Sequence, residues 1–158
     1  HRNRAGVCLF LFFARFLRDD SFVFQWFKSI LKRNSQATRH LDRKTLGKLG
    51  EDFACEHLSK HDYVLLDRNF RCQLGEIDII AQEGETVVFA EVKSQYSHVT
   101  IAPESKVDQK KQKKILSLVR YYRAKHLSPR TPCRIDVITV KIAPDNTPQE
   151  IKHYKRAF

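Results

Sequence analysis

Methionine is absent from this 158-residue chain, and glycine and proline are scarce, at five each. That scarcity argues against a fibrous or low-complexity chain. Long apolar runs are also missing. The stretch from Val7 to Ala14 falls well short of the roughly 20 residues that cross a bilayer, so stable membrane insertion is not expected. Cysteine is limited to Cys8, Cys55, Cys72 and Cys133, far apart, with no C-x-x-C pair and no His cluster nearby. A disulfide framework or structural zinc site is therefore not expected, and reduced thiols in a cytoplasmic protein are. Acidic charge is in deficit as well: 29 Lys and Arg face 18 Asp and Glu, for a net charge of +11. A basic surplus of this size favours polyanions through phosphate contact and counterion release. It does not choose between DNA, RNA and an anionic membrane surface.

What is present divides near residue 43. Residues 1–43 hold nine Lys and Arg against three Asp and Glu, and the remainder hold twenty against fifteen. Half of the excess charge thus sits in the first segment, and the body is only mildly basic. The segment starts on His and mixes apolar residues such as Phe22, Trp26 and Phe27 with Arg15, Arg18, Asp19 and Asp20. It is expected to be a leader or upstream extension outside the fold; a basic interfacial helix is the alternative. Residues 44–158 form the expected domain. Thr45 is placed as a helix cap, with Leu46, Leu49 and Phe53 at helical spacing as far as about Lys60. Tyr63–Asp67 reads as a short strand, and Asn69–Gln73 as a polar turn. Glu76–Ala81 and Thr86–Lys93 read as a hairpin around Gly84, followed by an irregular loop over 94–103. A second helix is expected from Lys106 to His126, burying Ile115, Leu118, Val119 and Tyr122. Arg134–Lys141 is the last strand, before a tail through Pro144 and Pro148. The order is α-β-β-β-α-β, an α/β fold.

The hairpin carries the chemistry. With Gly84 and Glu85 as the central residues of a two-residue turn, Asp78 falls opposite Glu91, and Lys93 shares the face of Glu91. A three-residue turn would instead send the two acids to opposite faces. Facing carboxylates repel unless a positive charge sits between them. Oxygen ligands of this kind suit Mg²⁺ or Mn²⁺, and Lys93 is placed to orient a water or to stabilise phosphate charge. The plainer alternative is a solvated sheet face with a surface ion pair. Against it, Asp78 lies within Ile77–Ala81 and Glu91 between Ala90 and Val92. Acids in strands that are apolar on both faces are costly unless they bind something. Glu51, with Gly47, Ala54, Cys55 and Leu58 on its side of the first helix, is either a third ligand or a hydrogen-bond partner for buried backbone. Lys106, Lys110 and Lys114 form one stripe on the second helix and Lys111 lies beside it. Together they suit phosphate contact, although any one of them also fits a solvated helix end.

Gly47-Lys-Leu-Gly-Glu51, Arg68-Asn69, Gly75-Glu-Ile-Asp78, Val88-Phe-Ala-Glu-Val-Lys93, Lys111-Gln112, Arg134-Ile-Asp136-Val and the closing Ala157-Phe158 occur in order. Over Thr45–Phe158 the chain resembles the YraN family, placed in the restriction-endonuclease-like PD-(D/E)XK superfamily and related to Holliday-junction resolvases. The resemblance implies a central mixed sheet flanked by helices. It puts Asp78, Glu91 and Lys93 at the superfamily's active positions, Glu51 at the extra acid of resolvase-like members, and Lys111 and Gln112 in the second-helix motif. Ala90 departs from the larger apolar residue usual there, a change that should not touch the site.

The function expected is a metal-dependent endonuclease cutting phosphodiester bonds, in DNA rather than RNA and in branched structures among others. By analogy it is a homodimer. Two other classes compete. One is a catalytically silent nucleic-acid-binding module on the same fold, and the other is a basic membrane-surface protein that uses residues 1–43.

Overall fold

The computed structural model describes residues 41–99 and 109–158. The expectations for residues 1–40 and for Lys106 lie outside them. The fold begins with helix α1 (Arg43–Lys60), followed by β1 (Val64–Cys72), β2 (Gly75–Glu83), β3 (Thr86–Tyr96), α2 (Gln109–His126), β4 (Cys133–Ile142) and β5 (Pro148–Tyr154). The five strands form one mixed sheet in the order β1-β2-β3-β4-β5. Only β3 and β4 run parallel, and α2 lies in the connection between them, as a parallel crossover requires.

The two sides of the sheet are covered by different helices. Val87 and Phe89 of β3 pack with Ile80, Ile135 and Val137 against Ile115, Leu118, Val119 and Tyr122 of α2. This is the face expected of that helix. The alternate residues of β3 turn the other way, where Ser94 meets Gly50 of α1 so closely that a Cβ on Gly50 would overlap its side chain. The Ser94 hydroxyl also donates to the Leu46 carbonyl at 3.1 Å. Edge-on contacts of Phe70 and Phe89 with Tyr122, at 5.0 and 5.5 Å between ring centroids, close the α2 layer. No described helix is long and apolar enough to cross a membrane.

The α/β class and the mixed sheet between helices are as expected, but several boundaries move. The cap of α1 is Asp42, whose carboxylate accepts from the Lys44 and Thr45 N–H groups, so Thr45 lies inside the first turn. Strand β1 runs on through the expected polar turn. Asn69 lies within it at φ 54°, a left-handed conformation that Asn tolerates, and the register is continuous across it. Ser94, Gln95 and Tyr96 extend β3 instead of opening a loop. The tail contains a fifth strand, β5, antiparallel to β4.

Candidate metal and nucleic-acid site

The β2–β3 hairpin sets the geometry. Its register runs from Glu83↔Thr86 to Ile79↔Ala90, which leaves Gly84 and Glu85 as the two turn residues. Gly84 has φ 57° and Glu85 has no positive φ, the pattern a II′ turn needs. Asp78 and Glu91 occupy the first position beyond the last pair, where the strands part. The Val92 N–H, which a longer ladder would have paired with backbone, donates instead to Asp78 Oδ2 at 2.7 Å. The Asp78 side chain thus replaces a missing ladder bond, at the spot where the sheet opens.

Four charged groups meet around that opening. Glu91 is only 9% exposed and lies on the α2 side of β3, where it forms an ion pair with Lys111 of α2. Burial pushes the Asp78 carboxyl up to about 7, and the Glu91 carboxylate adds to the rise. The Val92 N–H opposes it, Glu51 raises it further, and the Lys111 ammonium lowers it. Glu51 is held from α1 by the Asn69 carboxamide, which donates to its Oε2 at 3.0 Å. An Arg68–Asp52 ion pair ties β1 to α1 beside it. Lys93 is half-buried and follows Glu91 by two residues on the same face of β3.

Asp78, Glu91, Glu51 and Lys111 are therefore brought within mutual electrostatic reach from β2, β3, α1 and α2. Of the other α2 residues, Gln112 is half-buried, while Lys110 and Lys114 are exposed. Lys114 lies across the β1–β2 turn, where a Cβ on Gly75 would come 2.6 Å from its Cε. Among the described residues, no three His, Cys, Asp or Glu side chains are clustered closely enough to enclose an ion alone. The donor chemistry still fits Mg²⁺ or Mn²⁺. These ions keep several waters and take one or two protein carboxylates plus phosphate oxygens, and Asp78 and Glu91 offer two carboxylates in an unfavourable pairing. Sequence reasoning gave Lys111 to phosphate contact and overlooked Asn69 as the residue that orients Glu51. The Arg68-Asn69 dipeptide was the available signal.

A second acidic centre lies further along the sheet. Asp136 of β4 is fully buried, and Arg134 Nε donates to both its carboxylate oxygens at 3.1 Å. The His153 ring and the Arg156 N–H complete its shell, each at 2.9 Å. Burial alone would raise the Asp136 carboxyl, but the bonds from His153, Arg156 and Arg134 together hold it below the ordinary carboxylate range. Arg134 also donates to the Tyr63 hydroxyl at 2.9 Å and pairs with Glu83, which Lys155 joins at 2.7 Å. Asp136 and Glu83 thus each have their counter-charge within the network.

Comparison with known proteins agrees with the motif order. A family model described as "Uncharacterised protein family UPF0102" matches residues 50–140. A UPF0102 protein of Caldicellulosiruptor bescii is 42% identical over 119 residues, covering 75% of this chain and 100% of the relative. One from Geotalea uraniireducens is 38% identical over 117 residues, covering 74% of this chain and 91% of the relative. One from Clostridium botulinum (strain 657) is 38% identical over 120 residues, covering 75% and 98%. The matched span contains Glu51, Asp78, Glu91, Lys93 and Lys111, and with near-complete coverage of these relatives the chain belongs to the uncharacterised protein family UPF0102, the YraN family.

Proposed function

We propose that this protein binds nucleic acid and hydrolyses its phosphodiester bonds with a divalent cation, Mg²⁺ or Mn²⁺, held by Asp78 and Glu91. One observation carries the reading. Two strand carboxylates are set side by side where the ladder opens, and their environment raises Asp78 to about 7. A purely structural acid is paired or exposed; an acid held in repulsion is a reason to look for a missing cation. When bound, that cation polarises a phosphate oxygen and helps generate the attacking hydroxide. Asp78 is fixed for ligation by the Val92 N–H, and Glu51, held by Asn69, would serve as a third acid toward the ion or an attacking water. Lys93 orients that water or stabilises charge on the phosphate. Lys110 and Lys114 offer ammonium groups to the backbone on either side, from a helix start with no acid in its first turn. DNA, branched forms included, is the proposed substrate, and a homodimer would bring two such sites to two strands.

The test is cleavage by the purified full chain with Mg²⁺ or Mn²⁺ on duplex, flap, junction and RNA substrates. Cutting that disappears in Asp78→Ala while nucleic-acid binding persists supports the reading. If the wild type cuts none of these substrates, the catalytic half fails. The silent binding module is favoured by one specific feature, the Lys111 ammonium already on Glu91. Calorimetry with Mn²⁺ separates the two, since a silent module gives no heat, or heat unchanged by Asp78→Ala.

A further inference from the structure

We infer that Lys111 is an exchangeable counter-ion of the acid pair: it neutralises Glu91 in the metal-free protein and leaves when a divalent cation takes the carboxylates, becoming free to contact phosphate. The inference rests on the metal-site reading just given. Lys111 was expected to face phosphate along with Lys110 and Lys114, yet it reaches across from α2 to the Glu91 carboxylate. The two partners are unequally placed. The Glu91 side chain is 10% exposed, and that of Lys111 is 48% exposed. Glu91 therefore depends on a cation, whereas Lys111 can swing its flexible four-carbon stem back into water at little cost. Arg134 provides the contrast within the same sheet. Its side chain is only 12% exposed and its guanidinium is bonded to Asp136, Glu83 and Tyr63, so it has no such freedom.

Lys111 bonds Oε1 of Glu91, so a dication that takes both oxygens of that carboxylate must displace it, and the competition is reciprocal. A released Lys111 lies one residue from Lys110 and three from Lys114, at the edge of their stripe. Loading the site with metal therefore adds a positive charge to the surface proposed to meet phosphate.

The experiment compares wild type, Lys111→Met and Lys113→Met as full chains, the last removing an exposed α2 lysine as a charge control. Mn²⁺ affinity is measured by calorimetry. Amine-reactive labelling, resolved by residue in the mass spectrometer, is measured with and without Mn²⁺. Lys111→Met should bind Mn²⁺ about tenfold more tightly, as expected for removal of a competing charge beside a carboxylate, while Lys113→Met stays within about twofold of wild type. In wild type, saturating Mn²⁺ should raise labelling of Lys111 about threefold or more and leave Lys113 unchanged. An affinity gain without a labelling change would mean that Lys111 keeps its place, and would overturn the exchange. If wild type binds Mn²⁺ and neither readout moves, the exchange alone is wrong. If none of the three proteins takes up Mn²⁺, the metal site and the exchange fall together. Circular dichroism of each variant checks that the fold is retained.

Discussion

Asp78 and Asp136 are both aspartates in apolar strands of one sheet, and their surroundings are opposite. Asp136 is buried with four hydrogen bonds from three donors' residues, Arg134, His153 and Arg156, and is held below the ordinary carboxylate range. Asp78 accepts a hydrogen bond from the Val92 N–H, lies in the field of two other carboxylates, and is raised to about 7. Burial acts on both in the same direction, so burial does not separate them. What separates them is whether the protein supplies its own counter-charge. At Asp136 it supplies all of it and the result is a fastening between strands. Around Asp78 the Lys111 ammonium, itself paired with Glu91, offsets only part of the rise, and the carboxyl stays high.

The largest effect should come from breaking the satisfied centre. Asp136→Ala leaves a buried guanidinium without its carboxylate, and removing one partner of a buried pair costs about 3–5 kcal/mol. Urea or guanidinium unfolding measures it, and a loss below about 1 kcal/mol would mean that the network contributes little. Next in size is the pH response of the unsatisfied centre. The folded protein holds a proton on Asp78 that the unfolded chain has already released above pH 4. Metal-free stability must therefore fall as pH rises toward about 7. At about 1.4 kcal/mol per unit, the wild type should lose about 2–3 kcal/mol more than Asp78→Asn between pH 5 and pH 8. Parallel curves for the two proteins would break the comparison. Asp136 has the opposite sign: its contribution is present above the unfolded value of 3.8 and is lost as pH falls toward its lower folded value. An Asp136→Asn variant should lack that acid-side loss. The smallest effects belong to the residues that set up the acid pair. Gly84→Ala has open space around it but must adopt φ 57°, at a cost of about 1 kcal/mol in thermal unfolding. Asn69→Ala should weaken Mn²⁺ binding a few-fold by freeing Glu51, with about 1 kcal/mol or less lost in stability.

How far the sequence revealed this contrast depended on the distance between the residues concerned. The hairpin register was legible because a two-residue turn at Gly84 fixes every pair on its strands, and the acids follow from counting. The apolar face of α2 was legible from its spacing. The extension of β1 was hidden because Asn69 breaks the alternation, and β5 because an edge strand beginning at Pro148 is polar and partly exposed along its length. The Lys111–Glu91 pair was not legible, because helical spacing tells which residues share a stripe, not which strand they reach. Asp136 passed as an ordinary strand residue, since its partners Arg156 and His153 come from a segment read as tail.

That distant completion has a bearing on biosynthesis. Two of the groups that neutralise Asp136 arrive at positions 153 and 156, and the Ala157 N–H, bonded to the Ile135 carbonyl at 2.9 Å, follows them. A nascent chain that has already translated β4 would carry an incompletely shielded anion in its interior until those residues emerge from the ribosome. The sheet should therefore lock late, once residues 153–157 have joined β4, rather than strand by strand.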